Sequence, residues 1–176
     1  MLISRPLGQQ RGFTIIELMT ALVILAVAFM LVAPSISTWM QNAHVRTVAE
    51  SIQDGLQKAH NEALQRNGRV EFTLNTDTSW TVVAHIPGSA DETVESRPAS
   101  EGSSSAVTVT LNPVGATAIF NGLGLLDNAA PLHTVDVAAA SATKALRVEI
   151  TPGGQVRMCD PAVTTSSDPR RCYETP

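Results

Sequence analysis

The sequence predicts an α+β protein in which one long N-terminal helix precedes a β-rich head. Three features of the sequence predict it: an apolar segment at residues 13–33, a helical stripe of apolar residues after it, and short β-patterned segments beyond residue 67. The chain has 176 residues, of which 44% are hydrophobic, so it can build one hydrophobic core. Its net charge of −4 excludes a protein that coats nucleic acid through bulk positive charge.

The first element is the apolar segment at residues 13–33, which contains one charged side chain, Glu17, and neither Gly nor Pro. A helix of this length, rising ~1.5 Å per residue, spans roughly 30 Å, the thickness of a bilayer core. Arg5 and Arg11 precede it without any acid, so the positive-inside rule places the N-terminus in the cytoplasm. We therefore expect a single membrane pass and an extracytoplasmic head.

Glu17 distinguishes this segment from a simple membrane anchor. A carboxylate inside an apolar helix costs about 2.5 kcal/mol or more unless it is paired. The sequence therefore predicts that something compensates Glu17, and the alternative is an acid tolerated near the membrane surface.

The second element is an amphipathic continuation of the helix over residues 34–66. Asn67-Gly68 is a typical helix-stop signal. Steps of four and three residues separate the members of one apolar stripe, which are Val45, Ala49, Ile52, Leu56, Ala59 and Ala63.

The remaining elements are β-strands within a head that we place at residues 67–176. Alternating or β-branched segments bounded by turn residues predict strands at 70–75, 80–86, 106–111, 117–120, 134–137, 145–150 and 155–158. Residues 87–105 and 160–176 lack this pattern and are rich in Ser, Thr, Gly or Pro, which predicts loops.

The two cysteines of the chain, Cys159 and Cys172, are predicted to form a disulfide. The head is expected in an oxidising compartment, and neither residue has another cysteine to pair with. The bridge would tie the Pro-rich C-terminal tail to the last strand.

The sequence contains no recognisable enzymatic or metal-binding motif. The four histidines show no HExxH spacing, and a nucleophile elbow, a P-loop and a dinucleotide fingerprint are absent. We therefore expect no catalytic residues, no metal and no cofactor.

The junction at residues 11–19, RGFTIIELM, resembles the prepilin peptidase site of type IV pilins and type II secretion pseudopilins. The resemblance implies that residues 1–12 are a leader, that the peptidase cuts after Gly12, and that the new N-terminal Phe13 is methylated. It also implies that the protein crosses the inner membrane once with a periplasmic head, and that Glu17 pairs with the α-amine of a neighbouring pilin subunit during filament assembly.

Three further segments resemble the FimT/GspH family: residues 59–70 (AHNEALQRNGRV), 107–115 (VTVTLNPVG) and 154–161 (GQVRMCDP). The resemblance implies the type IV pilin fold, a long helix packed on a β-sandwich-like head. The function it implies is a minor type IV pilin at or near a filament tip. The alternative is a type II secretion pseudopilin of the GspH type, and a membrane-anchored periplasmic enzyme is a remote third.

A role in DNA uptake is also implied, because FimT-like proteins of naturally transformable bacteria bind DNA through two arginines of the closing strand. This chain retains Arg157 but carries Gln155 at the other position. Other basic residues near the C-terminus would restore the number of phosphate contacts if the fold gathers them: Lys144, Arg147, Arg170 and Arg171. The alternative is that these side chains pair with the acids of the tail: Asp160, Asp168 and Glu174.

Overall fold

The computed structural model describes residues 12–101 and 106–173, with residues 31–34 described by their backbone only. Arg5, Arg11 and all of the predicted leader except Gly12 lie outside the described residues, as does Glu174. The chain divides into two compact units, Met1–Ile36 and Ser37–Pro176.

One helix, α1, covers Ile15–Arg66. It begins after Thr14, whose Oγ1 accepts a hydrogen bond from the Glu17 N–H at 3.3 Å. Length and hydropathy identify no single bilayer-spanning helix among the described residues. The stretches Ile15–Met30 and Ser35–Arg66 reach the length and hydropathy of a membrane span only when they are taken together.

The predicted apolar stripe of α1 is buried in the second unit, where all six of its members are at most 1% exposed. The helix ends at the predicted stop signal. Asn67, with a φ of 47°, adopts the left-handed conformation, and the Gly68 N–H donates to the Ala63 carbonyl at 3.1 Å. This satisfies a helix carbonyl that would otherwise lack a partner.

Eight strands follow the helix and form two four-stranded antiparallel sheets, ordered β3-β2-β1-β5 and β4-β6-β7-β8. Their bounds are Arg69–Leu74 (β1), Trp80–His85 (β2), Glu92–Arg97 (β3), Val107–Asn112 (β4), Ala118–Phe120 (β5), Thr134–Ala139 (β6), Leu146–Ile150 (β7) and Val156–Cys159 (β8). Seven of these strands agree with the predicted ones to within one or two residues at each end.

The core lies between the stripe of α1 and the inward-facing residues of the sheets. Along β1 and β2 every second residue is buried, as expected for strands with one covered face. The Trp80 indole N–H donates to Ser51 Oγ on α1 at 2.9 Å, which satisfies its one polar group. Gly55 allows α1 to approach this region closely, since a Cβ there would lie 2.8 Å from the Phe72 ring.

The prediction of a loop throughout residues 87–105 is wrong, because β3 lies within it as an edge strand paired with β2. Val94 is the one apolar residue of β3, so the two-residue hydrophobic alternation is absent. The strand is held by its main-chain pairing and by an ion pair from Arg66 to Glu92 at 2.7 Å.

Candidate functional site

The first candidate site is the start of α1, where the predicted processing and assembly residues lie. Gly12 and Phe13 are exposed and precede the helix, and Glu17 occupies its first turn. The Thr14–Glu17 spacing is that of a capping box, of which the structure forms the Thr half: Thr14 Oγ1 accepts the Glu17 N–H. In the described part of the chain the Glu17 carboxylate has no hydrogen-bond or ion-pair partner.

The side chains that follow Phe13 form an apolar surface that the described residues leave uncovered. The large hydrophobic residues between Phe13 and Met30 are all at least 51% exposed. Soluble monomers rarely expose apolar patches beyond a few hundred Å², so this segment requires a lipid or protein partner.

The predicted disulfide is confirmed: Cys159 and Cys172 are joined, with a Cα–Cα separation of 5.1 Å. Next to the bridge, the Asp160 N–H donates to the Arg170 carbonyl at 2.8 Å. The tail therefore returns alongside β8. There the main chain of Arg171 pairs with that of Asp160 in an isolated β-bridge.

Arg157, the retained arginine of the family motif, is engaged inside the protein. Its Nε lies 3.6 Å from Oε2 of Glu149, and its Nη2 donates to the Arg171 carbonyl. Its guanidinium also lies 4.2 Å from the centre of the Tyr173 ring. Glu149 is 1% exposed, and its Oε2 accepts the Tyr173 N–H at 3.1 Å.

Two of the basic residues that were predicted to join Arg157 in contacting DNA each form an ion pair with an acid of the head. Arg147 forms a two-point contact with Asp136, with distances of 2.6 and 2.9 Å, and this hydrogen bonding raises the pKa of its guanidinium. Arg170 forms a similar two-point contact with Asp168, with distances of 3.1 and 2.8 Å. That contact lowers the pKa of the Asp168 carboxyl to about 2.

The structure does not bring the predicted basic residues to one groove. Gln155 and Arg157 line a groove with His60 and Tyr173. Lys144 and Arg170 line a different one, where the Lys144 N–H donates to Asn42 Oδ1 at 3.2 Å. In the described residues the Lys144 ammonium has no ion-pair partner.

A metal centre is not supported by the one cluster of ligand-type atoms that the described residues contain. Glu149, Cys159 and Cys172 bring ligand-type atoms within 4.8 Å of one another. Both sulfurs belong to the disulfide, and a metal ligand requires the thiolate.

Three residues of these sites were not predicted from the sequence: Glu149, Tyr173 and Thr14. The position of Thr14 could have been predicted from the sequence, because the Thr-x-x-Glu spacing of a capping box marks the start of a helix. Glu149 lies opposite Arg157 only in the register of the β7–β8 pair, and Tyr173 is placed by the disulfide. Neither position has a local sequence signature.

Comparison with known proteins identifies two matching family models and several similar structures. Residues 48–154 match the family described as type II transport protein GspH. Residues 7–33 match the prokaryotic N-terminal methylation motif. No curated protein matches the sequence significantly.

Two solved structures illustrate the likeness in fold. The type IV minor pilin FimU of Pseudomonas aeruginosa has 17% identity and a TM-score of 0.52, covering 73% of this chain and 99% of that one. The minor pseudopilin EpsH of the type 2 secretion system of Vibrio cholerae has 14% identity and a TM-score of 0.51, covering 69% and 99%. At these identities the likeness concerns the fold.

Proposed function

Because the chain belongs to the GspH family and has the type IV pilin fold, we propose that it is a minor type IV pilin that enters a filament through the start of α1. The coarser conclusion follows from the family itself: the protein is a minor pilin or pseudopilin, a structural subunit and not an enzyme. The predicted fold class is thereby confirmed.

The observation that carries the proposal is the uncovered apolar segment of α1 with Glu17 in its first turn. In a membrane, lipid covers these side chains, and in a filament the same helices of other subunits cover them. The Glu17 carboxylate then meets the α-amine of a neighbouring subunit. This pairing neutralises two charges that would each be costly in an apolar surrounding.

Processing after Gly12 is part of the same proposal. Gly12 and Phe13 are exposed and non-helical, so the bond between them is accessible to a prepilin peptidase, and the match to the N-terminal methylation motif includes both. The inner membrane, the peptidase and other pilins are the partners that this function requires.

The test compares Glu17→Ala and Glu17→Gln with a matched control, Glu95→Ala, in cells that make the filament. Glu95 is exposed on the edge strand β3, and its carboxylate has no hydrogen-bond or ion-pair partner among the described residues. We expect both Glu17 variants to be processed but lost from sheared filaments, and the control to be incorporated. Normal incorporation of the Glu17 variants would contradict the proposed pairing.

A type II secretion pseudopilin is the second candidate, favoured by the family description and by the likeness to EpsH. Affinity purification of the protein from its own cells distinguishes the two. Co-purification with type IV pilins supports the minor pilin, whereas co-purification with secretion pseudopilins supports the alternative.

Weak, sequence-independent binding of double-stranded DNA is an added proposal for the head. It is supported by Lys144, which is exposed, and by the Arg170 side chain, which is 68% exposed despite its ion pair. If about three phosphates are contacted, the log–log salt slope should be roughly −3. Lys144→Ala should weaken binding and reduce the size of this slope by about one, and absence of wild-type binding at low salt would contradict the proposal.

A further inference from the structure

A groove of about 630 Å³ lies where α1 meets the β7–β8 hairpin and the C-terminal tail. Its size falls within the range of small-molecule sites, roughly 300–1,000 Å³. We call it the polar groove. Its polar and aromatic lining, besides Arg157, consists of Gln57, His60, Asn61, Thr151, Gln155 and Tyr173.

His60 is fixed in this groove by packing. Its ring meets Phe120 edge-on, with ring centres 5.5 Å apart. A Cβ at Gly124 would lie 2.6 Å from His60 Nε2, and one at Gly154 would lie 1.9 Å from the Gly124 carbonyl oxygen. The backbones of both glycines therefore pack closely against the imidazole. Both glycines also have left-handed φ angles, of 76° and 77°.

Four side chains of the polar groove leave their hydrogen-bonding groups unused among the described residues, whereas Thr151 Oγ1 accepts the Gln155 N–H at 3.1 Å and Arg157 is engaged as described above. In the part of the chain that the structure describes, neither ring nitrogen of His60 has a hydrogen-bond partner. The same holds for the side-chain amides of Gln57, Asn61 and Gln155. Each amide offers a carbonyl acceptor and an NH₂ donor, so the groove presents both kinds of group from α1 and from the hairpin.

The polar groove carries little free charge. No carboxylate is among its lining residues, and its one cation, Arg157, is compensated by the buried Glu149 at 3.6 Å. Moving the guanidinium to an external phosphate would leave Glu149 buried and without its counter-ion, which is strongly unfavourable. The groove therefore favours an uncharged ligand over a polyanion.

We propose that the polar groove binds a neutral carbohydrate. Sugar hydroxyls donate and accept at once, which matches side chains that offer both functions. Tyr173, which is 65% exposed, adds an amphipathic ring beside them, with an apolar face and a polar tip. The inference is independent of the filament system and goes beyond the role of the start of α1.

The test measures binding of a neutral β-1,4-linked N-acetylglucosamine pentamer to the full chain in zwitterionic lipid nanodiscs, which avoids sugar-based detergents. Isothermal titration should give a saturable Kd that does not change between about 50 and 500 mM salt, because no phosphate contact is made. Asn61→Ala with Gln155→Ala should weaken binding about tenfold, as expected for two lost hydrogen bonds. Both side chains are exposed, so the substitutions leave the core intact.

Gln53→Ala is the matched control, because Gln53 lies one turn before Gln57 on α1 and does not line the polar groove. Its Kd should stay within about twofold of the wild-type value. Absence of saturation at millimolar pentamer, or equal binding by the double variant, would overturn the proposal. So would a single-stranded oligonucleotide that displaces the pentamer and binds more tightly, since that would make the groove a nucleic-acid site.

Discussion

Removing the arginine that compensates the buried Glu149 should destabilise the head strongly. Arg157→Ala deletes the guanidinium 3.6 Å from the carboxylate and leaves the Tyr173 N–H as the remaining hydrogen-bond partner of Glu149. It also removes the contact with the Tyr173 ring at 4.2 Å.

The magnitude follows from the burial of the two partners. Breaking a buried ion pair by removing one partner costs about 3–5 kcal/mol, and loss of a cation–π contact adds about 0.5–1 kcal/mol. The Arg157 side chain is 27% exposed, so water screens the pair in part. We expect the free energy of unfolding to fall by about 3 kcal/mol.

Urea denaturation of the segment Ser37–Pro176, which contains every residue of the core, measures this loss. Glu149→Gln in the Arg157→Ala background should recover about half of it, because a neutral amide needs no counter-ion. Arg147→Ala is the control, since the side chains of Arg147 and Asp136 are 31% and 37% exposed and such pairs contribute at most about 1 kcal/mol. Equal losses for Arg147→Ala and Arg157→Ala, with no recovery in the double variant, would refute the reasoning.

Three other predictions concern the tail and the core. Cys172→Ser breaks the disulfide between two cysteines that are 13 residues apart. The free energy of unfolding, measured by urea denaturation, should fall by about 3 kcal/mol by the chain-entropy model, and an unchanged midpoint would contradict this. Gly55→Ala should cost about 1–3 kcal/mol in the same assay, because the new methyl group would lie 2.8 Å from the Phe72 ring. The lowered pKa of Asp168, about 2 against an ordinary value of 3.8, means that its pairing with Arg170 stabilises the fold above pH 3.8 and is lost as the pH falls through about 2. An NMR titration of the Asp168 carboxyl carbon checks this, and a midpoint near 3.8 would contradict it.

The helix and most strands were predictable because their burial follows a regular period. Ile52 and Leu56 belong to a stripe that recurs every three or four residues, and both are completely buried. Val82 and Ala84 are buried and alternate with half-buried neighbours along β2, with the two-residue period of a strand. β3 was not predictable, because an edge strand with Val94 as its one apolar residue is held by main-chain pairing that leaves no hydrophobic pattern.

The candidate sites were predictable where their chemistry depends on local sequence. The junction of Gly12 and Phe13 and the lone charge of Glu17 stand within nine consecutive residues. The disulfide was predictable because the chain has two cysteines and an expected oxidising location. The neutralisation of Arg157 was not, because it depends on the register that places Glu149 opposite it and on the return of the tail through the bridge.

The central claim is that the protein is a processed pilin-type subunit that assembles through the start of α1. Mass spectrometry of the protein recovered from sheared filaments tests it most directly. The account predicts an N-terminal peptide that begins at Phe13 and carries one methyl group on its amine. Recovery of the chain only from the membrane fraction, with Met1 still attached or with a cut at the far end of the apolar segment, would contradict it.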